Sequence, residues 1–326
     1  MINKKFRNEI FIPKYNLEIN HNRSMISFGS CFSNHIHNYF KFCGFGADYY
    51  YGTVYNPISI ANNLKKVLEK TKFQFDDLVQ SNGIYLSWNH SGKVFNNNPE
   101  NLLESINNNQ KQIFKTLNKK PVIILTFGSA YVYSLKSNDN IVANCHKKPN
   151  ILFNKRKLSI EQIVKEWTEI IYEVDADFIF TVSPVRHFRD GFVKNNRSKS
   201  VLILAVEQLC DLFPDKVNYF PSYEIMIDEL RDYRFYNKDW VHPSEEAVGF
   251  ICQKFGESFF KNKTTEIIHQ ITKIRNNLAH RPIYGITNNH LDFLNKTLEY
   301  ISNVKEKTPL YDWSFEEKKI KEQLIQ

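Results

Sequence analysis

Residues 24–40, SMISFGSCFSNHIHNYF, decide how the rest of the chain is read. A short apolar run, 24–28, has the look of a buried strand and ends at Gly29. Helical periodicity follows over 33–43, with Gly44 placed as a C-terminal cap. A glycine, a hydroxyl and a thiol (Gly29, Ser30, Cys31) stand at the join. Either the turn needs small residues there, or it presents a nucleophile.

The strand-then-helix pattern recurs. Continuous apolar runs at 121–128 (PVIILTFG) and 177–184 (DFIFTVSP), and the strand at the start of 216–225 (KVNYFPSYEI), read as strands of a parallel sheet, the first two buried on both faces. Helices are expected at 56–70 behind Pro57, at 98–120, at 159–174, at 198–213 and at 242–260 with Pro243 in the first position. Hairpins are expected at 84–95, turning on NHSG, and at 131–144. The sum is an α/β fold, a three-layer α/β/α sandwich with a mostly parallel central sheet, over residues 1–262. From 263 to 326 the pattern is helical only. This C-terminal helical extension is expected to pack on the sandwich or to serve self-association as a homo-oligomer.

The chain has 326 residues, 42% hydrophobic and 24% charged, ordinary values for a soluble globular protein. It has no run of about 18 apolar residues, so no integral membrane segment is expected. The stretch MINKKFRNEIFIPKYNLEIN lacks the apolar core of a signal peptide, which makes the cytoplasm the expected location. The net charge of +8 is spread in short runs without a nucleic-acid-binding motif, so no nucleic acid partner is expected. Five cysteines (Cys31, Cys43, Cys145, Cys210, Cys252) are widely spaced and odd in number, the pattern of free thiols. Cys43, Cys210 and Cys252 lie in apolar helical patterns and read as core. There is no C-x-x-C pair, and neither a metal nor an organic cofactor is expected.

Ligands of parallel sheets bind at the C-terminal strand ends. Those ends deliver Gly29, Ser30 and Cys31, then Phe127, Gly128 and Ser129, then Ser183, Arg186 and His187. Asp239 and His242 follow in the loop DWVH. A carboxylate three residues before a histidine can accept its Nδ1–H, which leaves Nε2 free to take a proton from Ser or Cys. The bland alternative is that this pair caps the next helix.

The motifs FGSCFSNHI and DWVHPSEEA resemble the GSCFA family, with Ser33 in place of the motif's final alanine. GTVYNPISI, LTFGSAYVY, VANCHKKP, TVSPVRHFRDG, NNRSKSVL and YFPSYEIMIDELRDYRF extend the resemblance over about 20–260. That family is regarded as a relative of the SGNH/GDSL hydrolases, which are esterases and acyltransferases. The resemblance implies a nucleophile after the first strand, an oxyanion-binding glycine after the second and an Asp-x-x-His base. Gly52 would be that glycine, and Gly128 opens the third block. Ala130 stands where an asparagine is usual, so Asn56, Asn144 or His146 would have to substitute. One register places Cys31 at the nucleophile, and a shift by one places Ser30 there. Keeping the glycine of the turn at Gly29, together with thiolate stabilisation at a helix N-terminus, favours Cys31 and predicts a lowered thiol pKa.

Arg186 and His187 are candidates for substrate binding, Arg186 toward an anionic group or else in an ion pair with Asp190 or Asp232. His146 lies in a loop expected to contact substrate. The implied activity is cleavage or transfer of an acyl group from an ester or thioester, on a small-molecule or glycan substrate such as a cell-envelope precursor. The alternative is a non-catalytic binder of a glycan or lipid-linked sugar.

Overall fold

A computed structural model describes residues 8–280 and 287–325. The first seven residues of the N-terminal stretch and Gln326 of the helical tail lie outside the described residues. Five strands form one all-parallel sheet: β1 (Met25–Gly29), β2 (Ala47–Asp48), β3 (Val122–Phe127), β4 (Asp177–Val182) and β5 (Val217–Phe220). Their order is β5-β4-β3-β1-β2. Register is continuous across the middle, with Gly29 opposite Thr126 and Thr126 opposite Thr181.

Alternation along the strands makes the three layers. Ile26, Phe28, Ile123, Leu125, Phe127, Phe178 and Phe180 face one core. That core is closed by α2 (Pro57–Leu68), α3 (Pro99–Leu117), α4 (Ile160–Glu173) and α5 (Phe192–Leu212). Met25, Val122, Ile124, Ile179 and Phe220 face the other, closed by α1 (Cys31–Phe42) and α6 (Glu245–Phe259). The three-layer α/β/α architecture read from the apolar runs is the one observed.

Two local expectations need correction. Pro243 does not start α6; Ser244 is the N-cap, its Oγ accepting the Ala247 N–H at 3.3 Å. Serine caps a helix through its side chain, and Pro243 instead bridges to Tyr236. In the first hairpin Leu86 does pair with Phe95. The tight turn, however, lies upstream at Asn82-Gly83, both with positive φ, where Leu78–Ser81 pairs with Ile84–Ser87. Asn-Gly between two extended runs is a strong hairpin signal, and it lies outside the stretch read as a hairpin. The second hairpin forms between Tyr131–Leu135 and Ile141–Val142 and gains Phe153–Lys157 as a third strand.

The C-terminal helices α7 (Asn262–Ala279), α8 (Asn288–Lys305) and α9 (Ser314–Ile325) enclose their own cluster around Ile271, Ile301 and Trp313. They pack on the sandwich. Arg275 donates to the Lys41 carbonyl at the end of α1, and Thr264 to the Ile19 carbonyl. Among the described residues no helix is long and apolar enough to cross a membrane.

Candidate active site

The chain runs from β1 outward to β2, then crosses back to β3 on the other side of β1. The C-terminal ends of β1 and β3 therefore flank the crevice where strand order reverses, the usual ligand position in an open parallel sheet. Gly29 ends β1 with φ +137°, and a Cβ added there would lie 2.2 Å from the Thr126 carbonyl oxygen. Only glycine fits both the backbone and the neighbouring strand.

Ser30 is the N-cap of α1 and is fully buried. Its Oγ makes no capping bond and has no hydrogen-bond partner among the described residues. Cys31 opens the helix and is partly exposed. Of the two candidate nucleophilic residues, only Cys31 has exposed surface.

Burial pushes the Cys31 thiol above its ordinary value. The main-chain N–H of Cys31, the charge of Lys199 and the main-chain N–H of Phe32 pull it down, while Asp239 adds to the rise. The expectation of a lowered thiol pKa is thus overturned: desolvation of the anion outweighs the helix terminus. The free thiol needs a base.

The candidate base lies in the loop 239–242. His242 Nδ1 bonds Asp239 Oδ2 at 2.6 Å, and Asp239 Oδ1 accepts the N–H of Val241 at 2.9 Å and of His242 at 3.0 Å. These bonds, the backbone ones first, hold the Asp239 carboxyl down at about 2. Asp239 thus orients the imidazole, and it does not cap α6, which has Ser244. The His242 side chain is 45% exposed, and its Nε2 makes no recorded bond to any described residue. His35 lies one turn beyond Cys31, on the same side of α1, and burial and then the charge of His242 lower its pKa. The loop and the first turn of α1 are therefore within electrostatic reach of one another.

The remaining expected site residues divide. His187 sits beside the site, edge-on to Tyr55 with ring centroids 5.2 Å apart, and its N–H donates to Asn195 Oδ1. Burial, with Lys199 and His242 nearby, lowers its pKa to about 3, so it is neutral, and its Nε2 is buried without a partner among the described residues. Gly52 has φ +66° and packs against Ser91. Gly128 spends its N–H on the Tyr55 carbonyl at 2.8 Å. Asn56 caps α2, its Oδ1 accepting from Ser59 N and its Nδ2 donating to Ser59 Oγ. To serve as oxyanion donors these last two groups would have to release those bonds, whereas the N–H groups of Cys31 and Phe32 lie in the first turn of α1, where an α-helix offers them no partner. His146 turns inward, its Nε2 bonded to the Ser87 carbonyl at 2.8 Å and its N–H to Asn144 Oδ1. Arg186 makes neither expected ion pair: Asp190 is held by Lys155, and Asp232 accepts from Arg234 N. Its guanidinium lies over Phe192, Tyr233 and Tyr236 and borders a cavity of about 180 Å³ shared with Arg231 and Leu230.

One residue escaped the sequence reading. Lys199, on α5, is 1% exposed, and its Nζ donates to Gly128 O at 2.9 Å and Ser183 O at 2.7 Å. A lysine inside the largely apolar segment SKSVLILA was the available signal.

Among the described residues no group of three or more His, Cys, Asp or Glu side chains could hold a metal ion. No curated protein and no solved structure matches the chain. The model of the GSCFA family matches residues 24–255, and that of the C-terminal domain of GSCFA domain proteins matches residues 271–326. The chain belongs to the GSCFA family.

Proposed function

We propose that the protein is an acyl-transferring or acyl-hydrolysing enzyme of SGNH type, with Cys31 as covalent nucleophile. One observation carries this reading: an exposed imidazole held by a carboxylate at 2.6 Å, in a loop whose Asp239 charge is felt at the partly exposed Cys31. The pair does not cap α6, whose N-cap is Ser244.

In this reading Nε2 of His242 takes the Cys31 proton while the sulfur attacks the carbonyl carbon of an ester or thioester. A C–S bond forms, the bond to the leaving oxygen or sulfur breaks, and His242 returns the proton to the leaving group. An acceptor hydroxyl or water, deprotonated by His242, then releases the acyl group and restores the thiol. The N–H groups of Cys31 and Phe32 offset the negative charge that develops near them. Asp239 fixes the tautomer throughout. The rim carries exposed aromatic residues, Tyr55, Phe188, Phe192, Tyr233 and Trp240. These suit an apolar acyl chain or the face of a sugar, which is also what favours a non-catalytic glycan binder as the second reading. Five unpaired cysteines accord with a reducing, cytoplasmic setting.

The test is intact-mass measurement after incubation with a panel of activated esters and thioesters. A mass increase mapped to the peptide bearing Cys31, lost in His242→Ala, is expected. Unmodified Cys31 across the panel, in a protein whose thiol still reacts with iodoacetamide, would discard the acyl-enzyme and leave the binder.

A further inference from the structure

A charged side chain deep in a protein is costly unless it is paired. Lys199 is almost wholly buried, and no carboxylate of the described residues lies within ion-pair distance of its Nζ. Its two bonds go to carbonyl oxygens, Gly128 O just past β3 and Ser183 O just past β4. It therefore sits behind the crevice, at the strand ends that frame the site. The groups that face it are few. Cys31 acts on it from α1, His187 from the loop after β4, and Glu224 from the segment after β5, while the Tyr223 ring lies 5.6 Å from Nζ. Glu224 is already engaged by the Tyr219 hydroxyl, at 2.7 and 2.9 Å. His187 is neutral. Of the two anions that favour its charge, the one formed at Cys31 acts more strongly than Glu224.

We propose that Lys199 is a positioning residue for the chemistry at Cys31: its buried ammonium, fixed between the ends of β3 and β4, holds the sulfur in its anionic state. The thiol proton still leaves through His242, and Lys199 lowers the cost of the moment at which the sulfur carries charge. The hydrogen-bond arithmetic makes this a clean device. A neutral amine keeps two N–H groups, enough for both carbonyls, so losing the third proton changes the field at Cys31 without loosening the two strand ends. Burial brings that loss to about pH 7.

This inference rests on Cys31 being the reacting group, but alkylation reads thiol ionisation with no acyl substrate present, so either reading can fail without the other. The experiment is the pH dependence of iodoacetamide alkylation at Cys31 in the wild type, in Lys199→Gln, which offers two N–H donors without charge, and in Lys199→Met. Both variants are expected to react about tenfold more slowly at pH 6, where Lys199 is charged, the size of a one-unit rise in thiol pKa, and the difference is expected to close by about pH 9, where Lys199 has lost its charge. A rate at pH 6 equal to the wild type in either folded variant overturns the proposal. Should neither variant fold, the reciprocal measurement decides. The ¹³Cε resonance of Lys199 is followed against pH in the wild type and in Cys31→Asp, which places an anion at that position. Because the two charges are linked, the lysine midpoint is expected to rise in the variant, and an unchanged midpoint overturns the proposal.

Discussion

Arg186 donates from Nη2 to the carbonyl oxygen of Trp240 at 2.8 Å, and its backbone N–H donates to the Val241 carbonyl at 3.2 Å. The loop after β4 is thereby tied to the loop that carries Asp239 and His242. Trp240 has a positive φ of 59°, an uncommon conformation for a large side chain. Its carbonyl is held by Arg186 and its N–H by the Asn237 carbonyl at 2.9 Å.

Arg186→Met is expected to release this tie. Hydrogen bonds from a charged donor contribute about 1.5–3 kcal/mol, so a loss of stability at the lower end is expected. The telling measurement is amide hydrogen exchange at Val241 and His242, whose N–H groups bond Asp239. Faster exchange there, together with slower adduct formation at Cys31, is expected. Exchange as slow as in the wild type would mean that Asp239 holds the loop unaided.

Ser30 and Cys31 are separated by their surroundings. Cys31→Ala is expected to abolish any acyl adduct. Ser30→Ala removes a buried hydroxyl that has no partner among the described residues, a change that is close to neutral or slightly stabilising. It is expected to slow the reaction without removing the adduct. Intact mass and thermal unfolding of both variants decide this, and an adduct on Cys31→Ala would transfer the role to Ser30.

Asn56 is expected to act as a helix cap. Asn56→Ala should cost about 0.5–2 kcal/mol. Asn56→Asp keeps an acceptor for Ser59 N but loses the amide donor, so it should restore most of the stability and leave the reaction at Cys31 unchanged. If Asn56→Asp is stable but slow to form the adduct, the Asn56 amide is an oxyanion donor after all.

Acid should unfold the protein in two identifiable windows. His90 is fully buried and its pKa is lowered to about 3 by desolvation. The unfolded chain protonates it near 6.5, so stability is fully present above that pH and falls between about 6.5 and 3, by at most about 1.4 kcal/mol per pH unit for this one group. The Asp239 carboxyl, held at about 2, adds stability that is present above about 4 and lost between about 4 and 2. Chemical denaturation of the wild type and of Asp239→Asn as a function of pH checks the second window. A difference between the two that persists unchanged below pH 2 would exclude ionisation as its source.

Much of this molecule is local and therefore legible in one dimension. Runs such as VIILTF and FIFTV specify buried parallel strands because both faces are apolar but for a threonine. Asn56, Asn98 and Ser159 mark helix starts because their side chains can satisfy first-turn N–H groups. The three-residue spacing of Asp239 and His242 brings their side chains together within one loop. Gly29 is required by its own φ.

Strand order is different. Periodicity carries no information on which strand pairs with which, and it is the placement of β3 beside β1 that sets the crevice over Cys31 and Gly128. Accessibility is decided there too. Ser30 and Cys31 are adjacent small polar residues in the sequence, and only the packing of Ser30 against the Gly128 turn buries one and leaves the other open. Lys199 is the plainest case. A lysine among apolar residues on a helix is read as a solvated position until the fold closes over it. Its charge then matters because water has been removed and two strand-end carbonyls have taken water's place.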